Sequence, residues 1–373
     1  MSAGRARLST RLMVSFGAAL LALSVIEIGV RVLRPQVDAP IETPALLRGQ
    51  FREPGVHPNR SGEFSVQVQV NRDRFVDREW ADPQPGVPRV LVIGDSFVEA
   101  AQVDLEQGFG RVLEAAMGEQ RGALVEVLSL GVPGAGTGTA LALLDVYAPR
   151  LRPQLVVLGF LLSNDVLNNH PLLEPKPDKP FYRLDGGVLV PTDAQRSSSS
   201  AWRVPVLWRI SHTWRLVART VVGRQLSLQS LERGGGMPLD LRVHDPAGGS
   251  TWDEAWAVTD ALVGAMAARC AEQDISFATL IFPSQVEATQ AGRAAAVQAW
   301  PALEDWDLDA AGARAHAMAV QHGPVLDLTP ALAAGQHDAP LYFSQDGHWT
   351  PAGHRVAAEA SASFLSELLA PAR

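Results

Sequence analysis

A serine that could act as a nucleophile follows a short apolar segment at residues 90–96 (VLVIGDS). The segment has the length and composition of a buried strand, and Gly-Asp-Ser predicts a turn that leaves the Ser96 hydroxyl at the strand's carboxyl end. A serine attacks a carbonyl carbon only where a base removes its proton and donors stabilise the oxyanion. Without these groups, Gly-Asp-Ser is an ordinary strand-to-helix turn.

A histidine suited to be that base follows the last predicted strand, in residues 343–351 (FSQDGHWTP). Thr350 and Pro351 predict a helix start, as N-cap and first-turn residue. Asp346 and His348 therefore lie on the loop before that helix. We expect His348 to take the serine proton and Asp346 to orient the imidazole and stabilise its charged form. The alternative is that both residues only support the helix start.

Two further segments offer donors for an oxyanion. Residues 131–137 (GVPGAGT) follow the second predicted strand, and their glycines let backbone amides approach a ligand closely. A phosphate-binding loop is discarded, because Gly136 stands where the Walker pattern requires a lysine before Thr137. Asn164 follows the third strand and offers a side-chain amide. The alternative for Asn164 is a hydrogen bond to its own loop.

The elements that must position these residues alternate between strands and helices from residue 88 onward. Predicted strands are Val90 to Ile93, Val125 to Leu130, Leu155 to Leu162, Ile275 to Phe282 and Val325 to Leu328. Predicted helices are Gln107 to Met117, Thr137 to Tyr147, Trp252 to Glu272, Ala302 to Gln321 and Pro351 to Leu369. Strands that are apolar almost throughout, separated by helices, indicate a parallel sheet covered by helices on both faces. Ligands of such sheets bind beyond the carboxyl ends of the strands.

In this chain order, the four segments resemble the blocks of the SGNH, or GDSL-type, hydrolase superfamily, which centre on Ser, Gly, Asn and His. The resemblance extends over residues 88–370 and implies an α/β fold, a flavodoxin-like three-layer α/β/α sandwich with a parallel sheet. It implies that Ser96 is the nucleophile and His348 the base. It also implies an oxyanion hole made by the Ser96 backbone, Gly134 and Asn164.

One spacing departs from the common family pattern. Two residues usually separate the acid from the histidine, whereas only Gly347 separates Asp346 from His348. This Asp-x-His pair resembles the alginate O-acetyltransferase-type branch. The resemblance therefore implies hydrolysis of acyl esters, acetyl esters first, with O-acetyl transfer to an envelope or exported polysaccharide as the alternative.

An insertion interrupts the alternation at about residues 170–250, where Pro-rich, Ser-rich and Gly-rich stretches occur. Apolar residues at steps of three and four predict a basic amphipathic helix near residues 202–224, with its apolar face formed by Leu207, Ile210, Trp214, Val217 and Val221. We expect this helix to pack on the main domain. A lid or a membrane-surface contact is the alternative.

The N-terminus predicts an uncleaved signal-anchor helix over residues 1–33. Arginines precede the uncharged stretch 12–26, and no small-x-small cleavage site follows it. The positive-inside rule then places the catalytic bulk outside the cytoplasm, at a bacterial inner or cytoplasmic membrane. Secretion after cleavage is the alternative. Residues 34–87 predict a Pro-rich spacer with an edge strand at Phe64 to Val70 before the domain at 88–370.

Composition excludes some classes of function. The formal net charge of −8 argues against nucleic-acid binding, which requires clustered Lys and Arg. His and Asp residues between 337 and 354 show no recognised metal-ligand spacing, so neither a metal nor a cofactor is expected. His354 falls inside the predicted last helix, in a supporting or surface position. A metal hydrolase and a catalytically silent carbohydrate-binding module are the remaining alternatives, and the sequence identifies no protein partner.

Overall fold

The computed structural model describes residues 2–33, 52–174, 179–192, 211–335 and 339–369. The described strands are β1 (Gly55–Arg60), β2 (Ser65–Val70), β3 (Arg89–Gly94), β4 (Glu126–Gly131), β5 (Leu155–Leu161), β6 (Tyr182–Asp185), β7 (Val188–Pro191), β8 (Ser276–Phe282) and β9 (Val325–Asp327). The described α-helices are α1 (Ser2–Leu33), α2 (Ser96–Glu99), α3 (Phe109–Arg121), α4 (Thr137–Leu151), α5 (Leu162–Asn168), α6 (His212–Arg233), α7 (Ser250–Ala271), α8 (Gln285–Ala288), α9 (Gln290–Ala299), α10 (Ala310–Ala319), α11 (Thr329–Ala334) and α12 (Pro351–Leu368).

A parallel sheet forms the centre of the main domain and contains five of the described strands. Its order is β4-β3-β5-β8-β9, and every neighbouring pair is parallel. Ranked along the chain, these strands follow the order 2-1-3-4-5, which is that of flavodoxin-like folds. The predicted flavodoxin-like architecture is confirmed, and each of the five strands was located from its largely apolar run.

Alternate residues of the central strands face two helical layers. Val90 and Val92 pack into a core with residues of α3 and α12. Leu91 and Ile93 pack into a second core with residues of α4 and α7. Because helices cover both faces, the side chains on both sides of a central strand are mostly apolar, and this produces the nearly unbroken apolar runs of the sequence. Buried Ser129 and Thr279 are polar exceptions.

One predicted helix is divided into two elements. In place of a single helix from Ala302 to Gln321, the chain forms a 3₁₀ turn at Pro301–Asp305 and then helix α10. Between them, the backbone N–H of Asp309 donates to Asp307 Oδ1 over 3.0 Å. Short acidic side chains that bond nearby backbone in this way compete with helix formation.

The residues before the main sheet form a separate antiparallel hairpin of β1 and β2. The expected strand at Phe64 to Val70 is present as β2, although it pairs with β1 and not with the main sheet. The β1 strand was not predicted, because Pro58 argued against regular structure. In a two-stranded sheet both strands are edges, where a proline without an N–H is tolerated.

The insertion contains the hairpin of β6 and β7 and the helix α6. Trp214, Val217 and Val221 of the predicted apolar helix face are exposed by 44%, 51% and 58%. The expectation that this face packs on the main domain stays a prediction. Leu207 and Ile210 lie outside the described residues.

The chain divides into two compact units, and the smaller unit comprises Met1–Asp38 and Ala201–Leu228. Within this unit, the Glu27 carboxylate of α1 accepts hydrogen bonds from the backbone N–H groups of His212 (2.8 Å) and Thr213 (3.0 Å). Glu27 thereby caps the start of α6. Among the helices that the structure describes, only Met13–Val32 is long and apolar enough to cross a membrane. Signal sequences share this length and composition.

Candidate active site

Ser96 begins helix α2 directly after β3 and the N-cap residue Asp95. The Asp95 side chain is buried, and its Oδ1 accepts the backbone N–H of Phe97 over 2.9 Å. As the first helical residue, Ser96 has an N–H with no partner inside the helix. The strand order reverses at β3, and this is the point of an open α/β sheet at which ligands bind. The predicted turn thus places the Ser96 hydroxyl at the sheet's carboxyl edge.

The structure brings Ser96, His348 and Asp346 into one hydrogen-bonded chain. His348 Nε2 lies 2.7 Å from Ser96 Oγ, and His348 Nδ1 lies 2.6 Å from Asp346 Oδ1. Because Asp346 accepts the Nδ1 hydrogen, Nε2 is left to accept the Ser96 proton. The ring of Phe97 packs beside the imidazole, with 5.0 Å between the ring centroids.

The single residue between Asp346 and His348 allows this contact because the chain turns there. Gly347 has a φ of +82°, which a glycine adopts at little cost. The turn is closed by the N–H of Gly347, which donates to the Phe343 carbonyl over 3.0 Å. In an extended segment, side chains two residues apart point the same way without meeting. After the loop, Thr350 caps helix α12 and Pro351 occupies its first turn, as the sequence predicts.

Gly134 lies in a turn that follows β4, the neighbour of the Ser96 strand. The N–H of Ala135 donates to the Val132 carbonyl over 2.9 Å, and Gly134 has a φ of +66°. Proline followed by a glycine of positive φ is the arrangement of a type II turn. The Gly134 carbonyl also accepts a hydrogen bond from the buried Lys179 ammonium. Because β3 and β4 are parallel neighbours, this turn lies at the same sheet edge as Ser96. Lys179, a residue of the insertion, stabilises it.

Asn164 follows β5, the other neighbour of the Ser96 strand. Its Nδ2 donates to Asp95 Oδ2 over 2.9 Å, across a sequence separation of 69 residues. This contact replaces the alternative of a bond to its own loop. An amide group has two hydrogens, so one can hold Asp95 while the other reaches a ligand oxygen.

Two buried carboxyl groups lie at this contact, those of Asp95 and Asp165. Burial raises the pKa of Asp95, and this effect outweighs the hydrogen bonds from Asn164 and Phe97, which lower the pKa. Burial and the negative charge of Asp95 together raise the pKa of Asp165 well above its usual range. Asp95 accepts hydrogen bonds through both oxygens, and Asp165 accepts the backbone N–H of Leu161 through Oδ2.

The sequence analysis did not identify Phe97 and Asp95 as contributors to the site. Both adjoin Ser96, so an apolar and an acidic neighbour of the serine were the available signals. Phe97 contacts His348 and also Trp349, whose ring centroid lies 4.9 Å away. The fold thus positions the imidazole through a side chain of the segment that carries the serine.

His354 is buried in helix α12 and not on the surface. It is 1% exposed, and neither ring nitrogen has a hydrogen-bond partner in the described part of the chain. Burial, with a smaller contribution from the charge of His348, lowers the pKa of His354 to about 3. In an unfolded chain the pKa of histidine is about 6.5. The unfolded chain therefore binds a proton that the folded chain excludes, and stability is lost as the pH falls from about 6.5 towards 3.

We expect His354→Leu to remove this loss. Between pH 7.5 and pH 5 the free energy of unfolding should fall by about 2 kcal/mol less than in the wild type, which urea unfolding at both pH values measures. His316→Leu, at an exposed histidine, is the control and should keep the wild-type dependence. An unchanged pH dependence in His354→Leu would contradict the assignment.

A comparison with family models matches the C-terminal part of the main domain. Residues 251–372, which include Asp346 and His348, match the family described as SGNH hydrolase-like domain, acetyltransferase AlgX. The predicted resemblance to the SGNH superfamily, with its AlgX-type branch, is confirmed. No curated protein sequence is significantly similar to the chain.

A comparison with solved structures finds TesA, a lipase/acylhydrolase and an acetyl xylan esterase, among others. TesA is 15% identical, with 75% of this chain and 99% of that chain covered and a TM-score of 0.42. The lipase/acylhydrolase from Enterococcus faecalis is 12% identical, with coverages of 77% and 100% and a TM-score of 0.42. The acetyl xylan esterase AlAXEase is 12% identical, with coverages of 74% and 99% and a TM-score of 0.41.

By its sheet order the main domain is flavodoxin-like, and residues 251–372 are similar to an SGNH hydrolase-like domain. This similarity supports an esterase or O-acyltransferase.

Proposed function

We propose that the chain cleaves acyl esters, acetyl esters first, through an acyl-Ser96 intermediate. The observation that supports this proposal is the hydrogen-bonded chain from Ser96 through His348 to Asp346, with distances of 2.7 Å and 2.6 Å. A serine hydroxyl held this close to an oriented imidazole is the arrangement of an activated nucleophile.

In the first half of the reaction, Ser96 Oγ attacks the ester carbonyl carbon while His348 Nε2 accepts the hydroxyl proton. Asp346 stabilises the resulting imidazolium through Nδ1. When the tetrahedral intermediate collapses, the bond to the alcohol oxygen breaks, and His348 returns the proton to that oxygen. In the second half, water or another hydroxyl gives its proton to Nε2, and its oxygen attacks the acyl carbon. The bond from that carbon to Ser96 Oγ then breaks, His348 returns the proton to Oγ, and the acyl group leaves on the attacking oxygen.

The developing oxyanion requires donors at the same sheet edge. The Ser96 backbone N–H, the Gly134 N–H and the second hydrogen of Asn164 Nδ2 are the groups we assign to this role. Asn164 is well suited, because its bond to Asp95 fixes the amide before a ligand arrives. Donors that are already oriented stabilise the transition state without reorganising.

Acetyl transfer to a polysaccharide hydroxyl is the second candidate function. The observation that favours it is the match of residues 251–372 to a domain described as that of an acetyltransferase. The same acyl-Ser96 intermediate serves both reactions, and only the acceptor differs. The apolar segment Met13–Val32 supports a location at the cell envelope, with the catalytic domain outside the cytoplasm.

The test uses the full chain in detergent micelles with a chromogenic acetyl ester, with and without candidate oligosaccharides. Acetyl is followed by mass spectrometry. Hydrolysis predicts free acetate in both mixtures, and transfer predicts acetylated oligosaccharide when the acceptor is present. Binding of an acetylated glycan with neither product would contradict both candidates and favour a catalytically silent module.

A further inference from the structure

The turn of the β1–β2 hairpin contacts the loop that carries Asp346 and His348. Glu63 lies in this turn, and its carboxylate accepts three consecutive backbone N–H groups of the loop. Ser344 donates to Oε1 over 2.7 Å, Asp346 donates to Oε2 over 2.8 Å, and Gln345 is shared between them at 3.1 Å and 3.0 Å. The Ser344 hydroxyl adds a fourth donor to Oε1 at 2.9 Å.

Successive N–H groups that converge on one point form an anion-binding concavity. Here the anion is a carboxylate of the same chain. Desolvation acts to raise the pKa of Glu63, but the hydrogen bonds from Asp346, Ser344 and Gln345 outweigh it, and the pKa lies below its usual value. Glu63 is therefore ionised at neutral pH, and its hydrogen bonds are charge-assisted, which makes them stronger than neutral ones.

The ring of Phe64 adds an apolar contact beside the carboxylate. Its centroid lies 5.2 Å from that of Phe343, the residue at the start of the loop. The Phe343 N–H in turn donates to the His348 carbonyl over 2.9 Å. The hairpin turn thus contacts the loop at its first residue and along the segment that ends at Asp346.

The same hairpin also contacts the segment that follows Ser96. Asn59 Nδ2 donates to the Ala101 carbonyl over 2.7 Å. Just before the hairpin, Arg52 forms an ion pair of 2.7 Å with the buried carboxylate of Glu99, in helix α2. Val68 and Val70 are buried in one cluster with Ala101. One element therefore contacts both the nucleophile segment and the base loop.

We propose that Glu63 is a positioning residue, which holds the Asp346-Gly347-His348 loop against Ser96 so that the imidazole stays within hydrogen-bond reach of the hydroxyl. The hairpin at residues 55–70 is then a functional part of the active site, although it lies outside the matched residues 251–372. This inference rests on the proposed function, because it concerns the same serine and histidine.

The test compares full-chain Glu63→Gln with Glu119→Gln, a matched loss of one carboxylate at an exposed position of helix α3. Glutamine has the size of glutamate, but its NH2 group meets the loop N–H donors without accepting from them. We expect kcat for the acetyl ester to fall by about 10- to 100-fold, with KM changed less than about threefold, because misplacement of a catalytic group lowers the rate after binding. The rate of labelling by a serine-directed phosphonate should fall by a similar factor, and Glu63→Asp should restore part of it.

Hydrogen exchange of the peptide that contains residues 343–349 reports the loop directly. We expect the Ser344, Gln345 and Asp346 amides to exchange faster in Glu63→Gln at an unchanged melting temperature. Kinetics and exchange equal to those of Glu119→Gln would overturn the inference, and so would a rate loss that only follows a lower melting temperature. A wild-type chain that neither labels nor turns over ester would instead refute the proposed function.

Discussion

Ser96→Ala is expected to lower kcat for ester turnover by about 10⁵- to 10⁶-fold, close to complete loss. Alanine keeps the turn after β3 but removes the oxygen that lies 2.7 Å from His348 Nε2. No acyl-enzyme can then form, and only transition-state binding by the remaining groups is left. The measurement is initial-rate kinetics on the acetyl ester, with folding checked by the melting temperature.

A serine-directed phosphonate probe gives the second readout for this variant. The wild type should be labelled in proportion to time, and Ser96→Ala should not be labelled at all. Ser363→Ala, at an exposed serine of helix α12, is the matched control and should label like the wild type. Persistent labelling of Ser96→Ala would contradict the assignment of the nucleophile.

The elements that carry the serine and its neighbours were predictable, because their signals are local. The inner strands are buried on both faces and are therefore mostly apolar, as Val90, Leu91, Val92 and Ile93 illustrate. The turns that end β3 and β4 depend on residues just after each strand, Asp95 for β3 and Pro133 with Gly134 for β4. Parallel pairing then brings the ends of β3, β4 and β5 to one edge.

The contacts that sequence analysis missed join segments far apart along the chain. Glu63 bonds the loop of Asp346 across 283 residues, and no pattern around Glu63 marks it. The β1 strand was missed because Pro58 argued against it locally, whereas its edge position makes the proline harmless. Local rules identify an element from its own residues, but these features depend on what the element contacts.

The role of Asp346 was the hardest to infer from the sequence, because its spacing from His348 departs from the common pattern of the SGNH superfamily. Its Oδ1 lies 2.6 Å from His348 Nδ1, because Gly347 turns the chain between them. The N–H of Asp346 is in turn held by Glu63. A one-residue spacer therefore permits the same orientation of the imidazole that a longer spacer gives.

Asp346→Asn tests that orientation and is expected to lower kcat by about 10³- to 10⁴-fold with little change in KM. An asparagine amide can donate to Nδ1, which favours the tautomer with its hydrogen on Nε2, and that nitrogen cannot accept the Ser96 proton. Initial rates and phosphonate labelling measure the loss, and Asp104→Asn at an exposed aspartate should behave like the wild type. Near-wild-type activity in Asp346→Asn would show that another group orients His348, and the role of Asp346 would reduce to the geometry of its loop.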